Sequence, residues 1–202
     1  MTELMPAIVQ DADTLQVLML GYMNAEALGA TRLTGRVTFY SRSKQRLWTK
    51  GEVSGNFLEL VDIAEDCDRD ALLIRARPKG PTCHRETTSC FGDASAPGVG
   101  FLAKLELIID ERARNLPEGS YTAGLFRAPL ARTAQKVGEE AVETVVAALG
   151  TDGDAITNEA ADLVFHLLVL LHRKDLGLEH VVEALRGRHT PRIPPPRLRD
   201  AP

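Results

Sequence analysis

Three cysteines in 202 residues are too few for a disulfide framework, and their odd number cannot pair fully within one chain. In a reducing compartment such cysteines serve as metal ligands, catalytic groups or small buried hydrophobes. Basic charge is not in excess either: 24 Lys and Arg against 28 Asp and Glu leave a formal net charge of −4. That gives no general reason to bind nucleic acid or an anionic membrane. The longest strongly apolar run, "LVFHLLVLL", is interrupted by His166 and falls short of the roughly 20 residues that span a bilayer. The opening "MTELMPAIVQDAD" has acids and no basic segment ahead of an apolar core, so no secretory signal is visible. Internal repeats are missing too. These absences leave a cytoplasmic protein, with neither nucleic acid nor membrane as partner, whose chemistry is expected on small molecules.

What is present is ordinary for a globular chain: 44% hydrophobic and 26% charged residues, enough to build a core. The length suits one large domain or two small ones, and two is the expectation. In the first half, "PAIVQD", "QVLML", "RVTFYS", "FLELVDIAED" and "DALLIRAR" read as strands separated by turn formers such as Gly35, Gly51, Gly55 and Pro78. Only "NAEALGATRL" reads as a helix there, with Asn24 placed to cap it. After Phe91 the composition changes to the small, glycine- and proline-rich "GDASAPGVG", as in segments that join separately packed units.

Beyond that segment, apolar residues recur at helical spacing in four stretches: Leu102, Leu105, Ile108 and Ile109; then Ala134, Val137, Ala141 and Val145; then Asp154 to Lys174; then "LEHVVEALRGRH". Four helices with short connections predict a bundle. The fold class expected is α+β, a β-rich N-terminal domain over 1–93, a linker over 94–100, an all-α bundle over 101–189, and a proline-heavy tail over 190–202, disordered or extended.

The segment "EDCDRDALL" gathers Asp66, Asp68 and Asp70 around Cys67. If residues 66–76 form a strand, alternation puts the aspartates on one face and the thiol on the other. Three carboxylates on a common face repel unless a hard cation such as Mg²⁺, Ca²⁺ or Mn²⁺ neutralises them. An EF-hand loop is excluded, because its sixth and twelfth positions would be Ala71 and Arg77 rather than Gly and Glu. An acidic edge strand facing water is the plainer alternative. In "GPTCHRETTSCF", a loop opened by Gly-Pro can bring Cys83 and Cys90 together, and Cys67 could complete a three-thiolate zinc site. Three protein ligands and a water is the catalytic pattern, whereas buried, inert cysteines are the alternative. His84 adjoins one thiol and suits proton transfer.

These stretches, with "MPAIVQDADTLQVLMLGYMNAEAL" and "TGRVTFYSRSKQRLWTKGEVSGN", resemble phosphoribosyl-AMP cyclohydrolase of histidine biosynthesis across nearly the whole first half. The resemblance implies Zn²⁺ on Cys67, Cys83 and Cys90, Mg²⁺ on Asp66, Asp68 and Asp70, and a homodimer whose zinc ligands come from both chains. It implies hydrolytic opening of a purine ring, water attacking C6 of the adenine base. It also favours a phosphate-binding role for Arg42, Lys44, Lys50, Ser54, Gly55 and Asn56 over a solvated basic strand. Trp48 either stacks on a base or fills the core, and the core is expected.

A second set of acids lies in the helical half. In "KVGEEAVETVV" and "NEAADLVFH", Glu140 pairs with Glu143 and Glu159 with Asp162 at a spacing of three, on one helix face each. Two antiparallel helices could bring the pairs together around Mg²⁺ against a pyrophosphate. Solvated acidic faces are commoner, but Val145 and Val146 follow Glu143 and "LVF" follows Asp162, which favours burial and metal. The pattern E-E-x-x-E followed by E-x-x-D resembles the all-helical, MazG-type nucleotide pyrophosphohydrolases. With "GSYTAGLF" and "AQKVGEEAVE" it looks most like phosphoribosyl-ATP pyrophosphatase, over about Phe101 to His189.

That second resemblance implies Mg²⁺ on Glu140, Glu143, Glu159 and Asp162, with Glu139 as a further ligand or water-orienting base and Lys136 as a phosphate ligand. The stretch "FRAPLARTAQK" stands where a glycine-containing turn is usual, so no phosphate contact is assigned to Arg127 or Arg132. His166 and His172 are assigned to packing or surface. Together the two halves imply a fused two-step hydrolase acting on phosphoribosyl nucleotides. The rivals are a house-cleaning nucleotide pyrophosphatase with a zinc-stabilised partner domain, and a non-catalytic metal-binding module.

Overall fold

The computed structural model describes residues 4–92, 96 and 98–189. The tail expected over 190–202 lies outside the described residues, as do 94, 95 and 97 of the expected linker. The chain divides into two compact units, Met1–Leu105 and Glu106–Pro202.

The first unit holds strands β1 (Met5–Asp11) and β2 (Val17–Met23), helix α1 (Ala25–Thr34), and strands β3 (Thr38–Ser41), β4 (Arg46–Thr49), β5 (Leu58–Glu65) and β6 (Leu72–Pro78). Four strands form a sheet in the order β2-β1-β6-β5, while β3 and β4 pair separately. β1 runs parallel to β6 and antiparallel to β2, and β5 runs antiparallel to β6. Alternation along β1 turns Ala7 and Val9 wholly inward and leaves Ile8 outside. Ala7 and Val9 join Leu18, Met23, Val37, Phe39, Leu58, Leu72 and Ile74 in one apolar core. Gly21 on β2 has a packing reason: a Cβ there would lie 2.3 Å from Cδ1 of Phe39, so only glycine lets that ring close over the strand. α1 starts where expected, the Asn24 side chain accepting from the Ala27 N–H, and stops at Gly35 in the left-handed region with φ 68°.

Two expectations fail here. β4, in "RLWT", was not anticipated, and it pairs Trp48 with Phe39. Residues 66–71 are not strand but the connection between β5 and β6. The side chain of Asp66 accepts from the amides of Asp70 and Ala71, and Arg69 takes φ 64°, so local bonds bend the chain back where alternation alone suggested it ran straight.

The helical elements are α2 (Gly100–Asn115), α3 (Tyr121–Arg127), α4 (Leu130–Ala148), α5 (Gly153–His172) and α6 (Leu178–His189). The first of these begins inside the expected linker. Four stretches were expected, and the additional one is the two-turn α3: Ser120 caps it by accepting from Ala123, and it ends just before Pro129. Seven residues give periodicity too little length to register. α4 and α5 form the principal helix pair, with Leu168 and Val169 buried on α5. Arg173, just past α5, donates to the carbonyls of Leu125 and Ala128 at 2.6 and 2.9 Å and to the Thr133 hydroxyl at 2.9 Å. It ties the α3–α4 turn to the end of α5.

As a 20-residue helix, α5 is long and apolar enough by length and composition to cross a membrane, contrary to what its apolar run suggested. A core helix meets the same test, and α5 carries Glu159, Asp162 and His166 toward polar partners described below.

Candidate active sites

A cavity of about 600 Å³ opens in the first unit. The turn before β4 supplies Lys44, β4 and the turns after it supply Trp48, Lys50, Ser54 and Asn56, and the loop after β6 supplies Cys83, His84 and Cys90. The turn is compact because Gly51, at φ 91°, lets its backbone meet that of Asn56; a Cβ would fall 2.5 Å from the Asn56 carbonyl carbon. Lys50 is partly buried, and that burial pulls its ammonium below the usual lysine range, although the thiols of Cys90 and Cys83 favour the charge. Trp48 packs on the core as expected, its ring 5.1 Å from that of Phe39, and its half-buried side chain also lines the cavity.

Two other residues of the expected phosphate set lie differently. Arg42 stacks over Tyr22 at 3.8 Å and is not among the cavity-lining residues, and Gly55, at φ 78°, shapes the turn without lining it.

Cys83 and Cys90 adjoin. The Arg85 amide and Thr87 hydroxyl hold the Cys83 thiol below its ordinary range, while burial and the neighbouring Cys83 push Cys90 up. One sulfur thus carries charge readily and the other needs a cation to do so, a combination that fits a metal such as zinc. His84 Nδ1 lies 3.8 Å from the Cys83 sulfur. Cys67 sits exposed in the β5–β6 connection, and among the described residues no group of three metal-binding side chains includes a cysteine.

In that connection, Asp66, Asp68 and Asp70 bring carboxylate oxygens within 4.8 Å of one another, all exposed. The Ala71 amide, with help from Asp70, holds Asp66 below the usual carboxylate range. Asp70 is raised by its bond to Asp66 and by the charge of Asp68. A divalent cation placed there would relieve the repulsion that raises Asp70.

The second unit has its own cluster. Glu140 on α4 and Glu159 and Asp162 on α5 place oxygens within 4.8 Å of one another. The neighbouring Glu140 carboxylate, and less so the charge of Glu159, raise Glu143 above the usual carboxylate range. Glu140 is 4% exposed and held low, chiefly by Lys136, whose Nζ is 2.5 Å from Oε1. Lys136 also reaches Glu139 at 3.0 Å and is itself raised by both acids. Gln135 and Arg132 complete the shell of Glu139. Burial was expected for Glu143 and Asp162; instead Glu140 is the buried acid and those two are exposed, as are Val145 and Val146. The apolar neighbours in sequence project away from the α4–α5 seam.

Sequence comparison then decides the family. A family model described as phosphoribosyl-AMP cyclohydrolase matches residues 19–92, and one described as phosphoribosyl-ATP pyrophosphohydrolase matches residues 102–189. The histidine biosynthesis bifunctional protein HisIE of Xanthomonas axonopodis pv. citri is 58% identical over 186 residues, 92% of this chain and 89% of that protein. Those of Escherichia coli K12 and Xylella fastidiosa are 58% and 56% identical over 92% of this chain, and over 91% and 89% of their own lengths. The chain belongs to the HisIE family.

In this HisIE-family chain the cavity and both thiols that line it fall in the first matched stretch, and the carboxylate cluster around buried Glu140 in the second. Sequence reasoning missed cavity-lining Thr49, Glu52, Thr82 and Glu86, which sit in quoted stretches but carry no spacing signal. It also took His166 as packing. His166 is buried, as packing requires, but its Nδ1 lies 3.6 Å from Glu140, a proximity that helix spacing within α5 could not disclose.

Proposed function

We propose that each unit of this bifunctional hydrolase performs its reaction on its own cation site. The two steps belong to histidine biosynthesis: the second unit hydrolyses phosphoribosyl-ATP to phosphoribosyl-AMP and pyrophosphate, and the first opens the adenine ring of phosphoribosyl-AMP. The house-cleaning rival is disfavoured, because the first half matches the cyclohydrolase in its own right. The observation that carries the site assignment is that each matched stretch contains a cluster whose charge demands a cation.

In the first unit, Cys83 and Cys90 with Cys67 would hold Zn²⁺, and Asp66, Asp68 and Asp70 would hold Mg²⁺. Zinc, when bound, lowers the pKa of a coordinated water to about 7, supplying hydroxide at neutral pH. His84 is placed to pass the proton, and Lys44, Lys50, Ser54 and Asn56 to receive phosphate, with Arg42 and Gly55 supporting the same loop. One chain brings two thiols together while Cys67 stands apart and exposed, which supports a homodimer in which the partner's loop completes the ligand set. The outer face of the sheet supports the same reading: Leu20, Ile8 and Leu73 lie side by side across β2, β1 and β6, with Ile8 39% and Leu20 46% exposed.

In the second unit, Glu140, Glu143, Glu159 and Asp162 would hold Mg²⁺ against the pyrophosphate, neutralising its oxygens. Glu139 would orient the attacking water, and Lys136 would release its acids to meet phosphate. The domain extents proposed are 1–93 and 101–189, joined by 94–100. Three free cysteines support a reducing, cytoplasmic setting.

The test supplies purified protein with phosphoribosyl-ATP to follow pyrophosphate release and, in a separate assay, with phosphoribosyl-AMP to follow ring opening. Cys83→Ala is expected to abolish ring opening and spare pyrophosphate release, and Glu140→Ala to do the reverse. Loss of both activities in either folded variant would overturn the assignment.

A further inference from the structure

His166 is a buried titratable group to which that chemistry gives no role. It stands on α5 with 3% of its surface exposed. Its Nδ1 lies 2.8 Å from the backbone carbonyl of Asp162, and because a carbonyl only accepts, Nδ1 carries the proton. Nε2 of the neutral ring is then an acceptor, and the Tyr121 hydroxyl, 2.8 Å away, donates to it. The ring is also seated edge-on against Tyr121 and Phe165, with centroids 5.9 and 5.2 Å away. Tyr121 opens α3, so a single imidazole joins α3, α4 and α5.

The position of Glu140 gives this junction a consequence. Its Oε1 accepts from Lys136 Nζ at 2.5 Å, and the Nδ1 edge of His166, whose proton goes to the Asp162 carbonyl, packs 3.6 Å from the same oxygen. The carboxylate is buried and faces two further acids, so its rotation must be fixed by hydrogen-bond donors rather than by packing alone. We propose that Tyr121 and His166 are positioning residues for the pyrophosphate-releasing site. Tyr121 fixes the imidazole tautomer, and the Nδ1–H edge sets Glu140 and the Asp162 turn of α5 at the separation that lets Glu140, Glu159 and Asp162 share one divalent cation. This rests on the reading of that cluster as the Mg²⁺ site.

The test uses the full chain with three substitutions. His166→Leu removes both ring nitrogens, His166→Asn keeps an N–H donor near the place of Nδ1, and Tyr121→Phe removes only the hydroxyl. Mn²⁺ affinity is read by electron paramagnetic resonance on protein also carrying Asp66→Asn, Asp68→Asn and Asp70→Asn, so that the helical cluster is observed. On the variants without the three Asn substitutions, kcat and KM for pyrophosphate release and the opening of supplied phosphoribosyl-AMP are measured, with long-range ¹H–¹⁵N spectra reporting the imidazole tautomer.

The expected result for His166→Leu is Mn²⁺ affinity and kcat each lower by about 10- to 100-fold, with KM less affected and ring opening unchanged. His166→Asn recovers most of the affinity. Tyr121→Phe shows a smaller loss and an altered signal from the Nδ1-protonated ring. Wild-type Mn²⁺ affinity and kcat in folded His166→Leu, or a folded His166→Asn no better than His166→Leu, overturns the inference. Should His166→Leu fail to fold, wild-type affinity, kcat and tautomer in Tyr121→Phe overturn it instead. Glu140→Gln separates the two levels: if it keeps Mn²⁺ affinity and pyrophosphate release, the metal reading fails, and if it loses both while His166→Leu loses neither, only the positioning role fails.

Discussion

The two units solve the same problem, holding acids and donors against repulsion, in opposite ways. In the first, an apolar core built from Val9, Leu18, Phe39, Leu58 and Ile74 is fully closed, and the chemistry sits outside it, on turns and on the loop after β6. In the second, the acid Glu140, with His166 and Thr133, occupies the interior, while Val142, Val145, Val146 and Leu149 lie at the surface. A sheet with one sealed face can leave its site exposed and still hold its fold. A short bundle that puts its site at the α4–α5 seam makes the polar network part of what holds the helices together.

Metal removal tests that contrast most severely. Chelation is expected to stop both reactions; Mg²⁺ alone then restores pyrophosphate release, and ring opening returns only with Zn²⁺. Melting curves of the chelated protein sharpen it further, because the second unit, with carboxylates in its seam, loses more stability than the first.

Smaller effects follow from packing. Phe39→Ala empties the sealed core and is expected to destabilise the first unit by about 3–5 kcal/mol, read by chemical denaturation, without touching pyrophosphate release. Arg173→Ala unties the α3–α4 turn and leaves the Leu125 and Ala128 carbonyls without that donor. A loss of about 1–3 kcal/mol in the second unit is expected. An Arg173→Ala cost confined to zero would break the view that polar contacts hold this bundle.

The smallest effect is a pH dependence. Arg46, and the Thr49 amide after it, hold the Glu52 carboxylate below its usual range. A depressed folded-state pKa contributes stability above the ordinary glutamate range, near 4.3, that is lost as pH falls through the folded value. Glu52→Gln should therefore differ slightly from the parent at pH 7 and converge with it in acid, by thermal melts across pH. The pair is exposed, so a large difference at neutral pH would be unexpected.

Much of this was legible in the chain. Long periodic stretches gave α4, α5 and α6, Asn24 gave the start of α1, and composition gave the change of architecture after Phe91. What was lost was short or locally bonded. α3 spans only two turns, β4 has four residues, and "DCDRD" alternates like a strand but is bent by the Asp66 side chain bonding two amides ahead of it. Type and spacing picked out the acids that the structure brings together, Asp66, Asp68 and Asp70 in one cluster and Glu140, Glu159 and Asp162 in the other. Which of them is buried was misread, because sequence neighbours such as Val145 and Val146 do not lie on the face that Glu140 presents to α5.

Sequence alone determined the residue types proposed to hold cations: thiols in one half, spaced carboxylates in both, each within stretches that carry a family pattern. Only the tertiary structure decided their company. Helical and strand periods fix faces within an element, but the approach of Tyr121 to His166 and of His166 to Glu140 depends on how helices from distant parts of the chain pack, which no spacing within one element encodes.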